Sequence, residues 1–228
     1  MNRNRQLSEP TIGRLPVYQR IAQEMLRRGL TKTDSQRLGD LAGVTPATVR
    51  RDLSGLGPLG TRGSGYDVQT LVVQIDDALG HNRLYDVVII GLGNLGRALV
   101  GSNNFLIRGA QIVGLYDVDP SVVGTQISGL TVRDPREGIS PATIGVICTP
   151  AEVAQDVADA LVAANIHAIL NFSPKVLEVP VGTAVRYVDF SIELQILAYH
   201  LTNGTGPLGG GLLRTLGLTT PPVAARPS

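Results

Sequence analysis

Two hydrophobic patterns follow each other along the chain, and they change near residue 83. Before that point, apolar residues recur at intervals of three and four, which predicts short helices. After it, continuous apolar runs of strand length alternate with helix-spaced patterns, an order typical of a doubly wound parallel sheet. We therefore expect a flexible basic arm over 1–9, a mainly helical domain over 10–82 and an α/β domain over 83–188.

The first domain has the spacing of a helix-turn-helix. Residues 15–28 place apolar side chains at a helical period, and Gly29 supplies a stop. A short helix over 36–42 follows capping residues at 33–35, and 43–45 form a turn. Thr45 then stands as an N-cap, with Pro46 at the first position of the next helix.

The second helix of this pair exposes small and basic side chains that fit a DNA major groove, while Val49 and Leu53 face the core. The Gly-rich stretch 55–65 after it is typical of a β-wing, whose arginine is suited to a minor groove. The residues that we expect to contact DNA are Thr45, Pro46, Ala47, Thr48, Arg50, Arg51, Arg62, Gly63 and Tyr66.

Charge separates the two halves of the chain. Residues 1–66 hold 11 Lys and Arg against 5 Asp and Glu, a net of +6, whereas 67–228 hold 9 against 14, a net of −5. Such an asymmetry favours a basic module that meets a polyanion, joined to a body that does not. A small helical domain with a solvated basic face is the alternative, because charge alone does not prove DNA binding.

The second domain opens with the fingerprint of a dinucleotide-binding βαβ unit. An apolar strand runs into Gly91, Gly93 and Gly96 in the spacing Gly-x-Gly-x-x-Gly, and an acidic residue, Asp117, follows 21 positions after the last glycine. These glycines permit, in order, a tight turn, close approach of a pyrophosphate, and packing of a helix over 94–100. A close-packed strand-helix turn without a ligand is the alternative.

The fingerprint also predicts which nucleotide binds. The N–H groups at the helix start, at Asn94 and Leu95, face the phosphates. Asp117 ends the second strand, over 111–117, where its carboxylate accepts from ribose hydroxyls and repels a 2′-phosphate. The sequence therefore favours NAD(H) over NADP(H).

Further strands over 143–148 and 167–170 enclose a helix over 153–164. Thr149, Pro150 and Asn171 follow those strands, at the carboxyl edge where such sheets bind ligands. The single cysteine, Cys148, excludes an internal disulfide and a cysteine-cluster metal site, and we expect it to be a small core residue and expect no bound metal.

The C-terminal part holds one more helix, over 191–201 within a segment 189–203, and it is too apolar to stand free. A partner subunit or the helix's own domain must cover it. From residue 204 onward Gly, Pro and Thr dominate, which predicts a disordered tail. No apolar run reaches the length of a membrane span and no signal core follows the polar start, so we expect a cytoplasmic protein without a membrane partner.

Six runs span about residues 10 to 200 of the chain: 14–20, 46–54, 60–68, the glycine fingerprint at 91–96, 171–174 and 188–195. In these runs the chain resembles the Rex family of bacterial redox-sensing transcriptional repressors. The resemblance implies a winged helix, a Rossmann domain and a C-terminal helix exchanged within a homodimer. It also implies a repressor, not an enzyme, that binds a palindromic operator, senses NADH against NAD+ and is released by NADH.

In that family the residues matching Asp189 and Phe190 come from the partner subunit and lie near the nicotinamide. The chain departs from the family at two places. Ser102 stands where many relatives carry a tyrosine, which in some of them pairs, in the NADH-bound form, with the partner subunit's residue that matches Asp189. Serine is too short for that bond, so we expect Asp189 to bind another partner or a water. Gly55 replaces an aromatic residue after the second helix, which predicts lost packing between helix and wing.

Two rival functions fit parts of the pattern. A dehydrogenase needs a second domain that holds substrate, and His81, His167 and His200 have no carboxylate at a spacing suited to acid-base work. A CoA-binding module shares the glycine turn. Asp117 argues against CoA, because its carboxylate is placed for an adenosine ribose without a phosphate, whereas CoA carries a 3′-phosphate there.

Overall fold

The computed structural model describes residues 7–57, 59, 65–102 and 109–203. The backbone contacts divide the chain between Gly80 and His81 into two compact units, of which the second runs to Ile196. Of the arm predicted over 1–9, residues 1–6 lie outside the described residues, as do much of the wing and the tail from 204 onward. The end of that arm is ordered instead, because Ser8 caps the first helix and Glu9 begins it.

The N-terminal unit is a group of four helices with a short antiparallel ribbon, in which β1 pairs with β2. The second and third helices and the turn between them are as predicted. Asp34 caps one helix, Thr45 caps the next, and Gly43 takes the left-handed conformation between them. The elements are α1 (Glu9–Arg27), β1 (Lys32–Thr33), α2 (Ser35–Ala42), α3 (Pro46–Leu53), β2 (Tyr66–Asp67) and α4 (Val68–Leu79).

Two helices of this unit differ from the expectation. The first begins at Glu9 rather than at residue 15, because Ser8 caps it and tertiary contacts hold its first turns. The helix α4 was not predicted, although Asp67 caps it and its buried residues recur every three or four positions. Both helices pack on a core that includes the wholly buried Leu15, Tyr18 and Leu71.

Gly55 is covered after all. A Cβ atom at Gly55 would lie only 2.6 Å from Cδ2 of Leu7. The side chain of Leu7 thus fills the space beside Gly55, and Leu7 packs against the core of this unit. The expected loss of packing concerns the contact with the wing, most of which lies outside the described residues, so it stays a prediction.

The second unit contains a seven-stranded sheet in the order β5-β6-β4-β3-β7-β8-β9. All neighbours are parallel except β5 and β6. The predicted doubly wound parallel sheet is confirmed. The elements are β3 (Tyr85–Ile90), α5 (Asn94–Gly101), β4 (Ala110–Tyr116), β5 (Gln126–Ile127), β6 (Leu130–Arg133), β7 (Ile144–Ile147), α6 (Ala154–Ala163), β8 (Ala168–Asn171) and β9 (Ala184–Tyr187).

The apolar strands β3, β4, β7 and β8 lie where the hydrophobic runs placed them, since their side chains are buried on both faces of the sheet. The sequence pattern missed the β5–β6 hairpin and β9, which have few buried residues. Asn171 is the last residue of β8 and does not follow it.

The loop after β8 is held by side chains that bond to its backbone. Asn171 accepts from the N–H of Ser173 at 2.9 Å and donates to the carbonyl oxygens of Ser173 and Lys175. The Gln155 amide pairs with both the N–H and the C=O of Glu178, at 2.9 and 2.8 Å. The hydroxyl of Tyr187 accepts from the N–H of Leu177 at 3.0 Å.

The last described element is the helix α7 (Phe190–Thr202), none of whose residues is buried in the single chain. Its exposed apolar side chains are Phe190, Ile192, Leu194, Ile196, Leu197, Tyr199 and Leu201.

Candidate functional site

The glycine loop after β3 has the close contacts that the fingerprint requires. Gly91 has a φ of +94°, and a Cβ there would lie 2.8 Å from the backbone of Cys148. A Cβ at Gly96 would lie 2.0 Å from the carbonyl oxygen of Gly91. Since real Cβ atoms do not approach other heavy atoms so closely, both positions require glycine for protein packing alone.

Gly93 differs, because nothing lies within 4 Å of a Cβ built on it. Gly93 is also the N-cap of α5 and offers no side-chain cap to the N–H groups of the first turn, where Asn94 and Leu95 stand. Packing within the described residues gives no reason for a glycine there. An approaching pyrophosphate does, because it needs bare backbone and open N–H donors.

The carboxylate of Asp117 lies beside this loop, directly after β4. One oxygen accepts from the N–H of Leu92 at 2.6 Å, and the other accepts from the N–H of Asp119 at 3.0 Å. A carboxylate has about four lone-pair sites, so both oxygens keep capacity for ribose hydroxyls. The loop and the acidic residue of the fingerprint are thus joined by a direct hydrogen bond.

A cavity of about 640 Å³ opens at the carboxyl edge of the sheet. Five predicted residues line it, namely Gly91, Gly93, Asp117, Thr149 and Pro150. Among the described residues, Thr149 Oγ1 is buried without a hydrogen-bond partner. An unpaired buried hydroxyl on a cavity wall is free to bond a ligand, and the donors and glycines present therefore fit a dinucleotide.

The rest of the cavity wall was not predicted as a site. Val153, which caps α6, and Val157 and Ala160 on that helix line the cavity, whereas Leu161 of the same helix is wholly buried. The turn over Pro135–Glu137 supplies Arg136, whose guanidinium is paired with Asp134. For the residues on α6, the helical period was the sequence signal. No sequence pattern marked Arg136.

Cys148 also lines the cavity, although sequence reasoning placed it in the core. It is a free thiol of intermediate exposure that packs against the buried residues of the sheet. Burial raises the pKa of Cys148 to about 12. The side chain is therefore a neutral thiol, and both descriptions, core residue and cavity wall, apply to it.

The other five predicted cofactor residues, Asn94, Leu95, Gly96, Asn171 and Phe190, are not among the residues that line the cavity. Asn94 and Leu95 begin α5, beside the loop. Asn171 is wholly buried, and its amide bonds to the loop after β8, so it supports that loop. Gly96 is enclosed by Gly91, as its packing role requires. Phe190 begins α7 and is 63% exposed.

The predicted DNA surface lies on α3 and the residues that flank it. Thr45, Ala47, Arg50 and Arg51 are exposed, and Pro46, Thr48 and Tyr66 are half-buried. Arg50 donates to the hydroxyl of Ser35 at 2.9 Å, which steadies its guanidinium across the two helices. Arg62 and Gly63 lie outside the described residues.

The two residues predicted to act in switching are on the second unit. Ser102 is the exposed C-cap of α5, and residues 103–108 after it are outside the described part. Asp189 accepts from the N–H of Ser191 at 2.8 Å, and the Ser191 hydroxyl and N–H lower the pKa of this carboxyl. The partner that Asp189 finds in the NADH-bound dimer stays a prediction.

The described residues contain no group of three or more His, Cys, Asp or Glu arranged to hold a metal ion. No helix among them has both the length and the apolar character to cross a membrane.

Two family models match the chain. Residues 82–175 match the CoA binding domain, and residues 6–54 match the putative DNA-binding protein N-terminus. Residues 55–81, between the two matches, include β2 and α4.

Two similar proteins bear the same name. The chain is 45% identical over 229 residues to the redox-sensing transcriptional repressor Rex of Streptomyces coelicolor, which covers 98% of this chain and 87% of that protein. It is 47% identical over 203 residues to the repressor of the same name from Streptomyces avermitilis, covering 87% of this chain and 81% of the relative.

Solved structures agree. RSP, a Rex-family repressor, was solved in complex with β-NADH, and it matches with a TM-score of 0.78 at 32% identity over 92% of this chain and 99% of that one. Its complex with β-NAD+ and operator DNA matches with a TM-score of 0.78 at 33% identity, over 92% and 97%. The identities, the coverage and the pairing of a helix-turn-helix with a dinucleotide-type cavity lead to one conclusion: the chain belongs to the Rex family of redox-sensing transcriptional repressors.

Proposed function

We propose that this protein is a transcriptional repressor that binds operator DNA and is released from it by NADH. The observation that carries the proposal is the joint presence, on one chain, of an exposed basic helix-turn-helix and a glycine-loop cavity bounded by Asp117. Relatives named redox-sensing repressors are similar over both parts. A dehydrogenase fits less well. Such an enzyme needs a domain that holds the substrate against the nicotinamide, and the described residues form no such domain beside the helix-turn-helix unit and the nucleotide-binding unit.

At the nucleotide end, the backbone around Gly93 and the uncapped start of α5 hold the phosphates, and Asp117 holds the adenosine ribose. Thr149 and Pro150 line the same cavity, and Thr149 offers its unpaired hydroxyl. The carboxylate of Asp117 favours NAD(H) over NADP(H) by charge. NADH and NAD+ are the sensed ligands.

At the DNA end, α3 enters the major groove and the wing reaches the minor groove. Arg51 is fully available, and Arg50 is available with its guanidinium steadied by Ser35. Arg62, with Gly63 and Tyr66, extends the contact to the wing.

The working form is a homodimer in the cytoplasm. The support is α7, whose apolar residues Leu194 and Leu197 are 66% and 48% exposed in the single chain. Exchange of this helix between subunits covers its apolar surface and brings Asp189 and Phe190 of each subunit to the nicotinamide side of the other. The oxidation state of the nicotinamide then acts at the dimer interface, where it changes the spacing of the two recognition helices.

A mobility-shift series on a palindromic operator tests both ends at once. We expect NADH to release the DNA, NAD+ to oppose that release, and Arg50→Ala or Arg51→Ala to weaken operator binding while NADH affinity stays intact. Loss of a base contact costs about 1–3 kcal/mol, and loss of a phosphate contact lowers the salt slope by about one. Unchanged DNA binding in both variants would place the DNA surface elsewhere.

A CoA-binding module is the second candidate, because the family model that covers 82–175 is described as a CoA binding domain. The position of Asp117 disfavours it, since a carboxylate beside the adenosine ribose repels a 3′-phosphate. Titration of the purified protein with NADH, NAD+ and CoA separates the two. Binding of CoA without binding of NADH would overturn the proposed function.

A further inference from the structure

A buried carboxylate sits on the inner face of the recognition helix. Asp52 follows Arg51 in α3, yet Asp52 is only 2% exposed while Arg51 is exposed. Nothing in the nucleotide site or the expected DNA surface uses this residue. Asp is among the residue types that are almost never fully buried unless paired, so its place under the DNA-reading helix calls for a reason.

Four hydrogen bonds from one stripe of α1 hold this carboxylate. Oδ1 accepts from Thr11 Oγ1 at 3.0 Å and from Arg14 Nη2 at 2.8 Å. Oδ2 accepts from Arg14 Nε at 2.6 Å and from the Tyr18 hydroxyl at 2.9 Å. The three donors stand at intervals of three and four along α1 and thus share one face of that helix.

The carboxylate is ionised in this setting. Burial by itself raises the pKa of Asp52, but the hydrogen bonds from Arg14, Tyr18 and Thr11 outweigh burial and leave the pKa below its usual value. A charged, fourfold-bonded group under a helix is strongly directional, because hydrogen bonds fail when distance or angle changes.

The other buried side chains of α3 are apolar. They are Val49 and Leu53, and apolar contacts have no preferred direction. At the surface, Arg50 is bonded to Ser35 of α2. The bonds to Asp52 are directional contacts on the buried face, where they oppose rotation of α3 on α1.

We propose that Asp52 is a positioning residue for sequence recognition: through Thr11, Arg14 and Tyr18 it sets the rotation of the recognition helix on α1. The inference rests on the proposed DNA-binding function and adds the residue that determines its specificity. Base-edge contacts demand exact side-chain geometry, whereas phosphate contacts tolerate small rotations.

Because Asp52 is charged, its replacement should change operator binding and random-DNA binding in different directions, whereas simple destabilisation of the fold should weaken both. Asp52→Asn keeps the size of the side chain but leaves the Arg14 guanidinium, which is 29% exposed, without its ionic partner. The winged helix then carries one more positive charge. Binding to random DNA, which depends on charge, should hold or rise, while binding to the operator should fall.

The test uses the full chain and two duplexes, one selected by the wild-type protein from a random library and one of scrambled sequence. For Asp52→Asn we expect operator affinity to fall about tenfold or more, with scrambled-DNA affinity unchanged or higher. The matched control is Asp40→Asn, which makes the same charge change on the exposed face of α2, where the Asp40 carboxylate accepts from the Gln36 amide at 2.9 Å. It should keep the wild-type ratio of the two affinities.

Two gentler variants keep the inference falsifiable if Asp52→Asn folds poorly. Tyr18→Phe and Thr11→Val each remove one donor to Asp52 and should lower the same ratio by a smaller factor, with NADH affinity unchanged. An unchanged ratio in these variants, or a parallel fall of both affinities, contradicts the inference while the proposed function stands. A wild-type protein that selects no duplex contradicts the proposed function itself, and the inference with it.

Discussion

Asp117 has a structural role in addition to its proposed role in binding the nucleotide. Its bond to the N–H of Leu92 ties the end of β4 to the glycine loop, so the loop is held in its open shape by the same carboxylate that the ribose needs. Preorganisation of this kind lowers the cost of binding, because the loop does not have to be ordered when the nucleotide enters.

For Asp117→Ala we expect NADH affinity to fall by about tenfold or more, and tolerance of NADPH to rise, because the ribose acceptor and the repelling charge are both lost. Fluorescence titrations with NADH and NADPH measure both effects. Asp159→Ala, an exposed site on α6 bonded to Gln155, is the control. Normal NADH binding by Asp117→Ala would show that the fingerprint has been misassigned.

Cys148 allows the cavity to be probed by chemistry. Because burial raises the pKa of Cys148 to about 12, fewer than roughly one thiol in a thousand is ionised at pH 8. We expect iodoacetamide to react slowly, with a rate that rises with pH and shows no plateau below pH 10. It is the only cysteine, so mass spectrometry reports this site alone. Bound NADH should slow the reaction further, and fast labelling at pH 7 would contradict the assignment.

The sequence predicted those site residues whose role follows from backbone geometry. Gly91, Gly93 and Asp117 were found because spacing alone fixes their places in a βαβ unit. Arg136 and Val157 were not, because their positions on the cavity wall depend on how a turn and a helix pack, which no local pattern encodes. Asn171 was placed at the right edge, but burial gave its amide a structural role.

At the scale of elements, a predicted boundary held where a cap or a strong apolar run marks it. The N-cap residues Asp34 and Thr45 fixed the helices α2 and α3. The start of α1 was missed because its first turns are held by Thr11 and Arg14 through contacts with Asp52, 38 to 41 residues further along the chain. The β5–β6 hairpin was missed because its short strands are mostly exposed.

The exposed helix α7 carries a prediction of its own. Leu194→Glu places a charge in its apolar surface, and since burying an unpaired charge is costly, the proposed homodimer should dissociate. Sedimentation velocity should then show monomers, with operator binding lost. Gln195→Glu adds the same charge at a polar position of the helix and should stay dimeric. A dimeric Leu194→Glu variant would mean that another surface joins the subunits.

At the scale of the whole molecule, the two ends must be coupled in both directions. If NADH weakens operator binding by some factor, operator DNA must weaken NADH binding by the same factor, because the coupling free energy belongs to both ligands. NADH titrations with saturating operator and with a scrambled duplex measure it. Equal NADH affinity in the two titrations would exclude release of DNA by NADH as the mechanism.

The loop after β8 has a consequence for amide hydrogen exchange. The loop has no regular secondary structure. Even so, the N–H groups of Ser173, Leu177 and Glu178 donate to the side chains of Asn171, Tyr187 and Gln155, respectively. Exchange requires these bonds to open, so deuterium should enter these three amides as slowly as it enters a strand. This edge of the sheet would thus stay rigid on the timescale of minutes, although a loop without regular secondary structure is expected to exchange quickly.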